Sequence, residues 1–367
     1  MEGLQRGNTL MCTNVTRAKY FLMACISLMF LLGENSALAS ELLWGVNGHP
    51  VGNPVFADYE KQFDIMRQNH LTTYRMDVAL SEADEKLAIA QLRVLIPLAK
   101  KWGITLRPVL TVAFHWGDRT DTGHYPAGDP QALYRQGFDH VYNFVRLFKD
   151  DIQDWELENE TNLLVHDWRG VSLYGRGWTA QEFDTPLMHD WNAVLKGMSD
   201  AIGKINDTNG TKLRRVLGTT STNFGFIDYM LAHGVNFEVL GYHQYVHLGE
   251  SPYKAWSKAT PRFNLFQKLA SYGRPVHFTE VNAAEIYDKK YKNKEDDAYT
   301  RKGYQSLSDE LAFLKNQKDM PLEEVDVYEI FDDPGQKDAE ARFGIMYDAA
   351  TPKAALAIVG QVSGSGP

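Results

Sequence analysis

The sequence predicts an α/β protein of the (β/α)8 barrel class. Short apolar or β-branched runs alternate with longer stretches at helical spacing, and each kind occurs eight times after residue 40. No Gly-rich phosphate loop follows an early strand, as an open doubly wound sheet would want. The composition suits one large domain. With 367 residues, 44% of them hydrophobic and 12% aromatic, the chain is not disordered, collagen-like or a disulfide scaffold. A net charge of -9 argues against a generic nucleic-acid binder, which needs a basic surface to release counterions. Neutral or polar ligands fit better.

The first 39 residues stand apart from this pattern. Arg6, Arg17 and Lys19 precede an apolar run over 20–32, followed by Gly33, polar residues and Ala37-Leu38-Ala39 before Ser40. That order of charged, apolar and small-residue parts is that of a secretory signal peptide. The run is too short to span a bilayer comfortably, and no later stretch is apolar enough to do so. Cleavage after Ala39 would remove both cysteines, Cys12 and Cys25, and with them any disulfide or thiol nucleophile. A periplasmic or secreted protein with no stable membrane span is the expectation.

The strands are expected at 42–47, 72–77, 104–112, 152–159, 215–221, 239–245, 275–282 and 327–332, each a short run bounded by polar residues. The helices are expected at 55–69, 82–102, 130–149, 187–206, 225–233, 258–271, 296–317 and 351–359. Trp102-Gly103 and Tyr272-Gly273 place a glycine just past a helix end, where a left-handed cap is wanted. One domain over 41–360 results, followed by a flexible Ser/Gly tail at 361–367.

In such a barrel the connections leaving the C-terminal ends of the strands build the active site. Those after strands 3, 4 and 7, at 113–129, 161–186 and 283–295, are long. They carry His115, Trp116, His124, Tyr125, Trp168, Tyr174, Trp178, Tyr287 and Tyr291, and the loop after strand 6 adds Tyr253 and Trp256. Flat, stiff aromatic rings suit stacking on sugar faces, although the same rings also serve to pack loops down. Strand 4 ends in Trp155-Glu156-Leu157-Glu158-Asn159-Glu160, and strand 7 contains Phe278-Thr279-Glu280-Val281-Asn282. Each brings a glutamate to the barrel mouth. Carboxyl groups about 5 Å apart there would suit attack on an anomeric carbon by one and protonation of the leaving oxygen by the other, with retention of configuration.

These segments resemble clan A of the glycoside hydrolases, which are retaining (β/α)8 enzymes. The resemblance rests on Asn159-Glu160, on Glu280 after Phe278-Thr279, on Arg75 in Tyr74-Arg75-Met76-Asp77, and on His243 and Tyr245 in Gly241-Tyr242-His243-Gln244-Tyr245. It extends to Tyr328-Glu329-Ile330-Phe331-Asp332-Asp333-Pro334, with Phe343-Gly344-Ile345-Met346 and Thr351-Pro352-Lys353 beyond, and so spans nearly the whole chain after residue 40. Within the clan the chain is most similar to family 39 and related bacterial enzymes acting on secreted polysaccharides. Departures are Thr161 after the acid/base position, where many members have proline, Glu158 two before it, where they have an aromatic residue, and a strand 8 without tryptophan, in which Phe331 is the nearest substitute for a sugar floor.

The resemblance implies Glu160 as general acid and then base, and Glu280 as nucleophile, kept ionised by donors such as Tyr245 and Arg75. An apolar surround and a second carboxylate would raise the acid's pKa. Asn159 would bond the sugar 2-hydroxyl, and His243 would orient Glu160 or a sugar hydroxyl. Arg75 has a second reading, as buried counter-ion of Glu156 or Glu158, which share Glu160's side of a regular strand. His115, Trp116, Trp168, Trp178 and Trp256 are the candidate sugar platforms. No metal, no cofactor and no stable partner beyond the polysaccharide or oligosaccharide substrate are expected, and the protein is expected to be a monomer.

Other chemistries fit less well. His243-Gln244-Tyr245-Val246-His247 lacks the spacing of a zinc HExxH helix, and Gly218-Thr219-Thr220-Ser221 lacks the second glycine of a serine-hydrolase elbow. A non-catalytic carbohydrate-binding barrel is the rival from another class. For cleavage an endo-acting enzyme is expected, with an exo-acting, xylosidase-like β-glycosidase as runner-up. N-terminal sequencing of protein recovered from cells should give a chain starting near Ser40; an intact Met1 end would refute the signal peptide.

Overall fold

The computed structural model describes residues 41–81, 84–112, 127–164, 177–257 and 259–364. Eight parallel strands close into a barrel in chain order: β1 Leu43–Gly48, β2 Thr73–Ala79, β3 Thr105–Thr111, β4 Asp154–Leu157, β5 Arg214–Thr220, β6 Val239–Val246, β7 Val276–Ala283 and β8 Leu322–Val327. β8 pairs back onto β1 through Leu43–Glu324 and Val46–Val327. The outer helices are α1 Tyr59–Gln68, α2 Asp84–Trp102, α3 Pro130–Val145, α4 Pro186–Asn209, α5 Phe224–Ala232, α6 Leu265–Ala270, α7 Ala298–Asn316 and α8 Ala354–Gly364. None of the described helices is long and apolar enough to cross a membrane.

Local sequence accounts for the helix ends. The Asp129 carboxylate accepts from Ala132 N at 2.9 Å ahead of Pro130, and Thr185 accepts from Met188 N at 3.2 Å ahead of Pro186. Gly103 and Gly273 follow their helices at φ 68° and 64°, the left-handed conformation that favours a residue without Cβ.

Three boundaries depart furthest from the sequence expectation, and one is that of α6, which was expected from 258 and begins at Leu265. β8 lies at Leu322–Val327, not 327–332, because its Glu323, Glu324 and Asp326 disguise a strand as a polar segment. The segment 361–364, read as flexible tail, continues α8, and Ser363 Oγ donates to Asn69 O at 2.7 Å.

The hydrophobic core lies between strands and helices. Val46, Tyr74, Met76, Val78, Leu106, Leu110, Trp155, Leu157, Leu217, Leu240, Phe278, Val325 and Val327 all belong to it. Each large side chain so buried contributes roughly 1.5–3 kcal/mol. The alternate residues face the barrel axis and many are charged. Below the mouth, Arg107 donates to Glu324 at 2.7–3.0 Å, while Arg214 is bidentate on Asp154 at 2.6 and 2.7 Å and reaches Glu323 at 2.7 Å. Thr73 Oγ1 donates to Asp326 Oδ1 at 2.7 Å. Burial works to push the Glu324 carboxyl up, but Arg107 and His277 hold it below its ordinary value. Asp326 is pushed well up by burial and by the charge of Glu324.

Removing one partner of such a buried pair strands the other. Glu324→Ala should lower the free energy of unfolding by about 3–5 kcal/mol in urea titrations at neutral pH. The native Glu324 carboxyl is depressed, so its stabilising effect is present above the unfolded-state value and is lost as pH falls through the folded one. The wild-type stability curve should therefore drop more steeply with acid than that of the variant. Parallel curves would refute a stabilising role for the pair.

Candidate active site

The upper half of the barrel axis is organised around Arg75. This β2 residue is buried, with Nε and Nη2 on Glu156 of β4 at 2.7 and 3.0 Å. Its Nη1 donates to Glu280 Oε1 of β7 at 2.8 Å, and Nη2 donates to Asn159 Oδ1 at 2.7 Å. Both readings of Arg75 therefore hold geometrically: it is the counter-ion of Glu156 and a donor to Glu280. The bond to Oδ1 also sets the flip of the Asn159 amide, so its NH2 is the part that can donate to a ligand.

Glu158 does not join Arg75. β4 ends at Leu157, and Glu158 and Glu160 both take positive φ, 57° and 48°. The regular alternation that would put 156, 158 and 160 on one side is broken there. The Glu158 carboxylate instead accepts from Val112 N at 2.7 Å, at the end of β3. Glu160 is carried to the mouth, where its side chain is 24% exposed.

Glu280 faces the axis through an irregularity in β7. Tyr242 pairs with Phe278, whereas His243 pairs with Glu280, which leaves Thr279 as an extra residue on β7. Phe278 points to the helices, against Tyr242 and Phe266, and Glu280 enters the barrel beside His243. Strict alternation would have sent Phe278 and Glu280 to the same face.

His243 stands between the two carboxylates, with Nδ1 2.9 Å from Glu160 Oε1 and 3.3 Å from Glu280 Oε2. Tyr245 Oη donates to Glu280 Oε2 at 2.6 Å. One oxygen of each carboxyl group and a nitrogen of His243 all lie within 4.8 Å of one another. Three such groups also have the makings of a metal site. Here the guanidinium of Arg75 and the hydroxyl of Tyr245 already take one Glu280 oxygen each, which suits an anion held by donors better than a cation's ligand.

Electrostatics separates these groups. Burial pushes the Glu280 carboxyl up from its ordinary value and the charge of Glu160 adds to the rise, against the downward pull of His243, Arg75 and the Tyr245 hydroxyl. The donors expected to keep Glu280 ionised are thus in place but do not outweigh its burial. Burial acts to lower the His243 pKa, yet Glu280 and Glu160 together raise it. Burial also pushes the Tyr245 hydroxyl well up, with the Glu280 charge adding to it, so Tyr245 remains a donor.

The structure brings Arg75, Asn159, Glu160, His243, Tyr245 and Glu280 together. His115, Trp116 and Trp168 lie outside the described residues. Trp178 is half-buried in packing, its ring edge-on to Phe224 at 5.4 Å and Phe263 at 5.0 Å, with Lys268 over it. Trp256 is 46% exposed and outside the hydrogen-bonded group. Tyr253 packs edge-on against Phe266 and Phe313 yet stays exposed, whereas Tyr291 is buried with Phe343 and is no open platform. Phe331 is buried against Phe56. The aromatic just past β8 and close to the site is Tyr328, whose hydroxyl is pushed well up by burial, with the charges of Glu329 and Glu280 adding to it, and whose ring meets Phe343 at 5.5 Å. Tyr287 stands at the rim, 53% exposed and edge-on to Tyr245 at 5.7 Å.

Sequence reasoning gave no role to His49, Asp77, Tyr328 or Glu329, which form a second polar group beside the first. The available signal was position: Asp77 lies two residues past Arg75 on the same face of β2, and His49 and Glu329 follow the ends of β1 and β8.

The sequence matches no family model and no curated protein. Among solved structures, the chain is similar to a family 39 glycoside hydrolase from the gut symbiont Bacteroides cellulosilyticus WH2, with 18% identity and a TM-score of 0.62 over 89% of this chain. It spans 64% of the length of that enzyme. It is also similar to a family 1 β-glucosidase from Thermotoga maritima, at 12% identity and TM-score 0.57, covering 89% of this chain and 98% of that one. A β-glucosidase from Exiguobacterium marinum matches at 15% identity and TM-score 0.56, over 88% and 98% of the two chains. The fold is the (β/α)8 barrel shared by these clan A glycosidases.

Tyr245→Phe tests the coupling directly, because the hydroxyl pulls the Glu280 carboxyl down. Its loss should move the Glu280 titration, followed by carbon-13 NMR of labelled glutamate, to higher pH while the fold is kept. An unchanged titration would show that the 2.6 Å contact carries no such effect.

Proposed function

We propose that this protein is a retaining glycoside hydrolase that cleaves β-glycosidic bonds by double displacement. The approach of Glu160 and Glu280 carries the reading, with atoms of both inside the 4.8 Å group, since about 5 Å is the separation that lets one carboxylate attack while the other protonates the leaving oxygen. Glu280 takes the nucleophile's role because Arg75 and Tyr245 donate to it, groups that suit an anion. Glu160 takes the acid/base role because it stands more open at the mouth, where a leaving group and then water can reach it.

In the first step Glu280 attacks the anomeric carbon as the bond to the leaving oxygen breaks, and that oxygen takes the proton of Glu160. In the second, Glu160 removes a proton from water, the water oxygen bonds to the anomeric carbon, and Glu280 departs. His243 holds Glu160 in line through Nδ1. The Asn159 amide, oriented by Arg75, donates to the sugar 2-hydroxyl, a bond that tightens as the oxocarbenium-like transition state forms. The Arg75–Glu156 pair fixes the guanidinium against which Glu280 rests.

The substrate in this reading is a neutral polysaccharide or the cell's own exopolysaccharide, met outside the cytoplasm after cleavage near Ala39-Ser40. Endo action is favoured by the length of the loops after strands 3, 4 and 7. A non-catalytic carbohydrate-binding barrel has no use for two carboxylates in this arrangement with a histidine between them.

Glu280→Ala should abolish turnover, and azide should restore it with a glycosyl azide of inverted configuration, because azide fills the vacated nucleophile position. Glu160→Ala should cost about 10²–10⁴-fold on substrates with poor leaving groups and little on activated aryl glycosides. Swapped rescue patterns would reverse the two roles, and a wild-type chain inert toward every glycoside would sink the enzyme reading. Sizing of early products from a panel of bacterial and plant polysaccharides should show mid-sized oligosaccharides; monosaccharide alone in the first minutes would replace endo with exo action.

A further inference from the structure

We propose that Asn162 and Asn223 are a positioning pair that holds the acid/base glutamate, Glu160, against His243; the proposal rests on the retaining-glycosidase reading above. Glu160 lies past the end of β4 in a left-handed conformation, with φ 48°, and leads into the short helix Thr161–Leu164, where Leu163 N donates to the Glu160 carbonyl at 2.8 Å. So short a helix is not held by its own hydrogen bonds. Asn162 Nδ2 donates to Asn223 Oδ1 at 2.8 Å, and both residues are buried. Thr161 Oγ1 is buried with no hydrogen-bond partner among the described residues, so Asn162 supplies the polar anchor of this turn.

Asn223 forgoes a local bond to do this. It occupies the N-cap of α5, where an asparagine side chain ordinarily accepts from a backbone N–H of the first turn, yet it makes no such bond. Its backbone is tied to β5: Asn223 N donates to Thr220 O at 3.3 Å, and its carbonyl accepts from Thr219 Oγ1 at 3.1 Å. Thr220 in turn pairs with His243 in the β5–β6 register, and its Oγ1 donates to His243 O at 3.4 Å. A ring of contacts is thereby closed: Glu160 to Asn162 along the chain, across to Asn223, through Thr220 to His243, and from His243 Nδ1 back to Glu160 Oε1 at 2.9 Å. A Cβ on Gly177 would come within 2.5 Å of Asn223 Nδ2, and Gly177 O accepts from Gly225 N at 2.8 Å, so the Asn223 amide is confined from two sides.

The place of the pair decides which catalytic event it serves. Glu280 is set by Arg75 and Tyr245, contacts to which neither asparagine belongs. Glu160 is set by His243 and by the turn that Asn162 anchors. Proton delivery to the leaving oxygen needs a donor within hydrogen-bond reach, and a misplacement of about 1 Å is worth up to about 100-fold in rate. A leaving group that departs as a stable phenolate needs no proton. Loss of the pair should therefore slow the first step according to the leaving group and leave attack by Glu280 in place.

The test varies the leaving group. Wild type, Asn162→Ala, Asn223→Ala and the double variant would be compared on aryl β-gluco-, galacto-, manno- and xylosides whose leaving groups run from dinitrophenol to phenol. In each single variant kcat/KM, which reports the first step, should fall by about 10–100-fold on phenyl glycosides and by no more than about threefold on dinitrophenyl ones. The double variant should be no worse than either single one, because both changes remove the same bond. Dinitrophenyl 2-deoxy-2-fluoro glycosides count the folded sites: the Glu280 carboxylate bonds to the anomeric carbon as the dinitrophenolate leaves unprotonated, and intact mass reads the labelled fraction. Asn223→Ser, whose hydroxyl can cap α5 without reaching Asn162, repeats the comparison where alanine costs stability. A loss equal on both leaving groups, no loss on either, additive losses in the double variant, or a full set of variants too unfolded to label would overturn the proposal and leave the glycosidase reading intact. A wild type that neither labels at Glu280 nor turns over any glycoside would overturn that reading and this proposal with it.

Discussion

A guanidinium with almost no access to water must be matched on every side, and the arrangement of the barrel mouth follows from satisfying Arg75. Burying that charge alone would be prohibitive; two carboxylates and an amide oxygen offset the loss of hydration. Those partners come from β4, from the residues just after it, and from β7, so the ion group ties together strands distant around the ring. The same contacts orient Glu280 and the Asn159 amide. Stability and site geometry are therefore one set of bonds, and no change at Arg75 could alter one without the other.

The lower barrel repeats the device with different partners. Arg107 sits in register with Arg75 across β2 and β3, and each has its own carboxylate, Glu324 and Glu156. Two cations side by side are tolerated because their partners come from opposite walls. The interior is thus held by polar bonds of fixed geometry, which specify one register, while the ring of helices outside supplies the hydrophobic stabilisation.

The catalytic assignment draws on a contrast between two chemically identical side chains. Glu280 is buried among donors; Glu160 shares His243 with it but stands nearer the opening. Their environments differ through backbone irregularities, a positive φ at Glu160 and an extra residue before Glu280. Departures from regular strand geometry at the end of a barrel strand place side chains that regular geometry could not.

The alternation of apolar and helical stretches determined the barrel, because local hydrophobic period is enough to specify strand, helix and their order. The meeting of Asn159, Glu160 and Glu280 at the barrel mouth was legible for a related reason: polar residues at strand ends have little to do in a packed core. What tertiary structure decided lies where the period of two fails. Glu156, Glu158 and Glu160 look equivalent in a regular strand, but two left-handed residues send Glu158 to Val112 and Glu160 to the mouth. Phe278 and Glu280 look alike in facing, but the unmatched Thr279 turns only Glu280 inward. β8 was misplaced because its carboxylates are buried through Arg107 and Thr73, partners far away in sequence. The cluster of His49, Asp77 and Glu329 is built from the ends of three strands, which come together only when β8 closes against β1. Sequence carries local periodicity, whereas a bulge, a left-handed residue or a buried ion pair is set by contacts between segments far apart along the chain.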